Sequence, residues 1–136
     1  MSTPENRERD ALLKEAMGAA MDRDTTRALA LLDQLLAADP DDIDALLVQG
    51  YVVEMTGKPR LARPLYERVL ELRPGNVLGL IAISDCDVYD DRLDDALAHL
   101  EEAHARIGAG LYEEDREQEL ESVLWRKEAI LKGGLR

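Results

Sequence analysis

The residues best suited to metal chemistry lie in the first half of the last third of the chain. His99 and His104 are the two histidines, and they are five residues apart. Two metal ligands on one helical face need a spacing of three or four residues. This spacing therefore indicates two ordinary helix residues and no metal site.

A run of aspartates from Asp85 to Asp95 suggests a calcium loop at first sight. A loop that began at Asp85 would need Gly at its sixth position and Glu at its twelfth, and neither residue is present. Cys86 lies between two carboxylates, which disfavour a thiolate, so we interpret it as a small buried residue. No glycine-rich phosphate loop, nucleophile elbow or Cys/His pair occurs either. We therefore predict no catalytic residue, no cofactor and no enzyme activity.

The composition restricts the partners further. The 136 residues include 29 acidic and 17 basic ones, a net charge of −12, which disfavours nucleic acid and anionic lipid. A single cysteine excludes an intrachain disulfide. No apolar run reaches the length of a signal peptide or a membrane span, so we expect a cytoplasmic protein without membrane insertion.

A pattern that recurs every 34 residues organises the chain. Pro40 and Pro74 are that far apart, and each follows a run with the periodicity of an amphipathic helix. The other columns in this register are Leu12, Leu46 and Leu80; Ala16, Gly50 and Ser84; Ala28, Ala62 and Ala96; Leu32, Tyr66 and Leu100; and Leu35, Val69 and Ala103. In the third copy Gly108 takes the place of proline. A fixed period of this length predicts a helical solenoid.

These columns resemble the tetratricopeptide repeat (TPR). The family pattern has a large residue at position four, small residues at eight and twenty, and proline at thirty-two, and Ile43 to Asn76 fit it best as Leu46, Gly50, Ala62 and Pro74. The large residue is Leu in every copy instead of Trp. The resemblance implies an all-α, right-handed α-solenoid of three TPR-like helix-turn-helix repeats with a C-terminal capping helix.

We expect one domain over residues 1–136, with repeats at about 9–42, 43–76 and 77–110 and a capping helix at about 111–132. Caps, prolines and glycines predict the following helices: 4–21, 26–38, about 42–56, 59–73, 77–88, 93–107 and 111–132. Gly18 suggests close packing, and Pro64 predicts a loose first turn or a slight bend. Leu120, Val123, Leu124 and Leu131 are expected on one buried face of the capping helix, with Trp125 either half-buried or a contact residue.

In the family the first helices of the repeats, the A helices, line a concave groove. The matching positions here predict a partner-binding groove formed by Leu13, Met17, Asp44, Leu47, Tyr51, Glu54, Met55, Ile81, Asp85 and Tyr89. Members that grip a C-terminal carboxylate use Lys, Arg and Asn at positions five, six and nine, where only Lys14 matches. An apolar groove with methionines instead fits a protein or peptide segment with apolar anchors, with Asp44, Glu54 and Asp85 favouring basic flanks.

The sequence therefore predicts a non-catalytic protein–protein interaction module or adaptor. Two other coverings of the apolar stripe remain open, namely the C-terminal helix and a second copy of the chain in a homo-oligomer. The compact acidic chain is also similar in architecture to chaperones of type III secretion translocators, which would give it a hydrophobic client. A self-assembling structural TPR protein is a further alternative.

Overall fold

The computed structural model describes residues 3–109 and 116–133, and these residues form seven α-helices without a β-strand. The helices are α1 (Pro4–Met21), α2 (Thr25–Ala38), α3 (Ile43–Met55), α4 (Pro59–Leu72), α5 (Val77–Tyr89), α6 (Leu93–Gly108) and α7 (Arg116–Leu131). The all-α helical-hairpin architecture predicted from the repeat is confirmed. Six of the seven predicted helices begin and end within a residue or so of the predicted positions, and residues 111–115 of the seventh lie outside the described residues.

Side-chain caps explain why several helices begin where they do. Thr3 accepts a hydrogen bond from the Asn6 backbone N–H at 3.1 Å, and Asp42 accepts one from the Ala45 N–H at 3.2 Å. Asn76 caps α5 in the same way, at 2.7 Å from the Gly79 nitrogen. Each cap satisfies a backbone N–H that has no partner inside the helix.

Two local predictions need correction, and a third stays a prediction. The helix α4 is continuous through Pro64, where proline cannot donate to the Arg60 carbonyl, and the slight bend predicted there stays a prediction. A Cβ atom on Gly18 would meet nothing within 4 Å, so close packing does not explain that glycine. Gly108 and Gly110 were expected to end α6. Gly108 instead belongs to the last turn of α6, with Ala109 as the C-cap, and Gly110 lies outside the described residues.

The chain divides into two compact units, residues 1–72 and 73–136. In the first unit, α1, α2 and α3 share a core of small and branched residues: Ala16, Ala19, Ala20, Ala28, Leu32, Leu35, Ala45 and Val52. Gly50 of α3 lies against the Tyr66 ring of α4, where a Cβ would be 2.3 Å from Cε1. The small columns of the repeat therefore mark helix contacts within each hairpin.

In the second unit, α5 is buried on most sides, and α6 buries the residues that the repeat predicts: Ala96, Leu100 and Ala103, with Ile107 one turn further on. The helix α7 packs on α6 through Val123 and Ile130. Two of the four residues predicted on the buried face of α7 are exposed, namely Leu124 at 43% and Leu131 at 72%. The buried residues Val123 and Ile130 each precede them by one position, because packing on α6, and not the sequence alone, decides which side of α7 is buried.

No helix among the described residues is both long enough and apolar enough to cross a membrane. The division into two units falls close to the expected boundary between the second and third repeats. That the whole chain forms one domain stays a prediction.

Candidate partner-binding surface

The face of α1 that lies away from the core is open and apolar. It forms a shallow depression of about 470 Å³, lined by Asp10, Leu13, Lys14, Met17, Gly18 and Met21. Met17 is 47% exposed and Met21 is 83% exposed. Because Gly18 has no side chain, the two methionines leave bare helix backbone between them.

The neighbouring A helix of the same unit, α3, has an equivalent face. Tyr51 is 55% exposed, and Leu47 and Met55 are half-buried beside it. Tyr51 and Met17 occupy the same column of the repeat, and α1 and α3 contact each other. The first unit therefore carries two adjacent apolar helix faces that include most of the predicted groove residues.

An arginine that the sequence reading did not single out lies at the edge of this surface. The Arg9 guanidinium donates to both Asp42 oxygens, from Nε at 2.9 Å and from Nη2 at 2.7 Å. Its Nη2 also donates to Asp44 Oδ2 at 2.7 Å, and Nη1 donates to Asp10 at 2.9 Å. Arg9 thus joins the middle of α1 to the first turn of α3.

The electrostatics follow from that geometry. Hydrogen bonds from Arg9 lower the pKa of the Asp42 carboxyl, against the opposing effect of burial. In turn, Asp42 and Asp44 raise the pKa of Arg9. Asp44 was predicted to select basic groups on a partner, but its carboxylate already binds a cation of the same chain. This face is therefore suited mainly to apolar contacts.

The second unit places its predicted residues differently. Ile81 is 6% exposed, so little of its side chain is open to another molecule, and its place in the predicted groove stays a prediction. Asp85 accepts two hydrogen bonds from Arg126 of α7, from Nε at 2.8 Å and from Nη2 at 3.0 Å. Tyr89, at the end of α5, is 58% exposed. At repeat position nine, Asp85 of the second unit is hydrogen-bonded to the capping helix. The residues at the same position of the first two repeats, Met17 and Tyr51, are exposed to solvent.

The histidines take structural positions. His99 Nδ1 lies 2.7 Å from Oδ2 of the buried Asp87, and His104 Nδ1 lies 3.4 Å from Lys127 Nζ. Each histidine thus contacts a different helix. Within residues 3–109 and 116–133 no three His, Cys, Asp or Glu side chains are grouped to hold a metal ion, and Cys86 is buried. Both histidine contacts therefore connect neighbouring helices.

Trp125 is 60% exposed on α7, with the Arg126 guanidinium 5.9 Å from the ring centroid. A role for Trp125 as a contact residue stays a prediction. Leu124 and Leu131 of the same helix are also exposed, which sequence reasoning missed.

Comparison with known proteins places the fold. No protein-family model matches the sequence, and no relative is found among curated proteins. The type III secretion translocator chaperone SycD of Yersinia enterocolitica has a similar structure, with a TM-score of 0.80 and 17% identity over 100% of this chain and 90% of SycD.

Two further solved structures are similar. The Sgt2 TPR domain of Aspergillus fumigatus gives a TM-score of 0.70 at 19% identity, covering 97% of this chain and 85% of that one. A mutant O-GlcNAc transferase of Thermobaculum terrenum gives 0.67 at 23% identity, covering 79% of this chain but 22% of the transferase. The chain therefore has a TPR-like helical repeat fold, as the repeat columns predicted.

Proposed function

We propose that the protein is a non-catalytic protein-binding module that holds an apolar segment of a partner protein on α1 and α3. The observation that carries this proposal is the exposure of Met17 and Tyr51 at the same repeat position of two contacting helices. Contiguous apolar patches on a protein surface mark interaction sites more often than single exposed apolar residues do. Methionine also adapts its shape to different apolar side chains.

The partner would bring leucine, valine or aromatic side chains into the depression beside Met17 and Gly18. Its backbone could be extended or helical, since both forms present apolar anchors along one edge. The paired state of Asp44 makes basic flanks secondary, because a partner cation would have to compete with Arg9. Glu54 and Met55 complete the proposed contact surface on α3, and Tyr89 belongs to the second unit.

Peptide selection tests the proposal. A library of random peptides is selected on the wild-type protein, and the enriched peptides are titrated against Tyr51→Ala and Leu47→Asp. We expect enrichment of apolar anchors and a loss of affinity of about tenfold or more for Tyr51→Ala, in the range of a central interface aromatic. Because Tyr51 is more than half exposed, this variant should keep its helicity by circular dichroism.

A matched control is Glu67→Ala, an exposed residue of α4, which contributes no residue to the proposed surface. Equal binding by the control and the wild type is expected. If folded Tyr51→Ala and Leu47→Asp also bind as well as the wild type, the assignment of this face is wrong.

A second candidate is a chaperone of a hydrophobic secreted client. What favours it is the likeness to the translocator chaperone SycD along the full length of this chain. Such a client would be held by the same face of α1 and α3. Co-expression with a hydrophobic secreted protein of the same host separates the two candidates, because a chaperone should keep its client in the supernatant. A client that pellets equally with and without the protein would count against this candidate.

Self-association and a cytoplasmic location stay predictions. Light scattering over a range of concentrations decides the first, since a mass that does not change with concentration removes a structural homo-oligomer.

A further inference from the structure

The methionines among the described residues all lie on the A helices of the first unit. Met17 and Met21 belong to α1, and Met55 is the last residue of α3. Met21 and Met55 occupy the same column of the 34-residue repeat, and Met17 is in the column of Tyr51. In the part of the chain that the structure describes, the thioether groups are therefore confined to the two helices proposed to hold a partner segment.

The sulfur-bearing side chains differ in how far solution reaches them. Met21 is 83% exposed and Met17 is 47% exposed, whereas Met55 is half-buried and Cys86 is 4% exposed. Met17 and Met21 are one helical turn apart, and both line the depression of about 470 Å³ on α1. Reagents in solution therefore reach these two methionines more readily than Met55 or Cys86.

Methionine undergoes a reaction that leucine at the same position would not. Hydrogen peroxide oxidises the thioether to a sulfoxide. A sulfur lone pair forms the S–O bond, the O–O bond breaks, and the departing hydroxide takes the proton of the transferred oxygen to leave as water. The peroxide is uncharged, so the net charge of −12 does not repel it as it repels an anionic oxidant.

The product changes the chemistry of the depression. A sulfoxide is polar and accepts hydrogen bonds, where the thioether offered a flexible apolar contact. An apolar anchor seated beside it loses that contact and leaves the new S–O group without water. Oxidation at this place therefore opposes the apolar contacts on which binding to α1 and α3 depends.

We infer that Met17 and Met21 form a reversible oxidation site that controls partner binding on α1 and α3. Peroxide converts both residues to sulfoxides, the depression becomes polar, and the apolar segment dissociates. A methionine sulfoxide reductase restores the site with two thiols, which become a disulfide as the sulfoxide oxygen leaves as water. This inference rests on the proposed function, because it names the regulation of that same surface.

The first arm of the test maps the reaction without a partner. The full-length protein is treated with dilute hydrogen peroxide, quenched with catalase at intervals, digested and examined by mass spectrometry. Met21 should be oxidised fastest, Met17 next and Met55 last, in the order of their exposure. Helicity by circular dichroism should persist while Met17 and Met21 react, since neither side chain is buried in the core.

The second arm measures binding before and after oxidation. The probe is a peptide selected on the wild-type protein that lacks methionine, cysteine and tryptophan, so that peroxide changes the protein alone. The dissociation constant of the wild type should rise about tenfold or more, the factor expected when one apolar side chain is no longer buried. Treatment with a methionine sulfoxide reductase should reverse the rise.

Two variants show which sulfur atoms matter. Each protein is compared with itself before and after peroxide, because leucine also alters the surface. The double variant Met17→Leu with Met21→Leu should change its dissociation constant less than about twofold, since leucine has no sulfur to oxidise. Met55→Leu is the matched control and should respond as the wild type does. Both variants keep Met1 and Cys86, so oxidation of these residues is common to them.

Two binding results would overturn this inference alone. One is an unchanged dissociation constant in wild-type protein whose Met17 and Met21 are oxidised, and the other is an equal loss of affinity in the double variant. Oxidation of Met55 ahead of Met21 would contradict the argument from exposure. A wild-type protein that binds no selected peptide before oxidation would instead overturn the proposed function and, with it, the regulation of that surface.

Discussion

The contrast between Gly18 and Gly50 gives the sharpest prediction about stability. Both glycines lie inside A helices, where replacement by alanine gains about 1 kcal/mol in helix propensity. At Gly18 the added Cβ meets nothing within 4 Å, so Gly18→Ala should stabilise the protein by that amount. At Gly50 the Cβ would be 2.3 Å from Tyr66 Cε1 and 2.6 Å from Cζ.

The cost at Gly50 follows from the position of that ring. Tyr66 is 3% exposed, so it cannot swing into solvent without opening the contact between α3 and α4. Overpacking of this kind costs about 1–3 kcal/mol. Because the propensity gain is common to both variants, the difference between them measures the clash directly. We expect Gly50→Ala to be less stable than Gly18→Ala by about 1–3 kcal/mol.

Urea denaturation followed by far-UV circular dichroism measures both free energies of unfolding. A smaller side chain at position 66 should remove most of the difference, so the pair Gly50→Ala and Tyr66→Leu should show a favourable coupling of about 0.5–3 kcal/mol. Equal stability of the two alanine variants would refute the argument that Gly50 is a contact residue.

The remaining predictions concern Arg9 and Arg126. Arg9 lowers the pKa of Asp42 below its ordinary value. The Arg9–Asp42 pair therefore adds its full contribution to the free energy of unfolding above about pH 4, and this contribution is lost as the pH falls through the folded-state pKa of Asp42. Arg9→Gln should cost about 1–2 kcal/mol at neutral pH, discounted for the partial exposure of Arg9, and the gap to the wild type in urea titrations should close in acid. Arg126→Gln should remove the link to Asp85 and speed amide hydrogen exchange in α7, with a global loss of at most about 1 kcal/mol.

Controls exist for both arginine predictions. Lys132→Gln breaks a largely exposed pair between Glu128 of α7 and the residue that follows this helix, and it should leave exchange in α7 nearly unchanged. Arg68→Gln is the control for Arg9→Gln, because it removes the Arg68–Asp41 pair, in which both side chains are exposed. A gap between Arg9→Gln and the wild type that persists below the folded-state pKa of Asp42 would contradict the linkage. Unchanged exchange in Arg126→Gln would show that Asp85 does not hold α7.

The scaffold could be predicted because each of its determinants is local or periodic. Thr3, Asp42 and Asn76 are capping residues whose effect extends over three positions, and the small column Ala28, Ala62 and Ala96 repeats at a fixed period. Such signals need no knowledge of the neighbouring helix. They were sufficient to place six helices.

The candidate surface could be predicted only in part, because exposure depends on what packs nearby. The repeat position of Ile81 is the same as that of Leu47, yet one is buried and the other half-buried. The carboxylate partners of Arg9 and Arg126 lie 33 and 41 residues away in the sequence, and no spacing rule predicts such pairs. The exposure of Leu124 on α7 could likewise not be predicted, because Leu120, Val123 and Leu124 have helical spacing whichever side of the helix packs on α6.

The central claim is that a partner segment lies on the exposed faces of α1 and α3, and cross-linking from position 51 tests it most directly. A photo-reactive amino acid replaces Tyr51 in one variant and Glu67, on the exposed side of α4, in another. Each is irradiated with a peptide selected on the wild-type protein, and the products are mapped by mass spectrometry. We expect an adduct from position 51, through an apolar residue of the peptide, and none from position 67. Equal labelling from both positions, or labelling from position 67 alone, would contradict it.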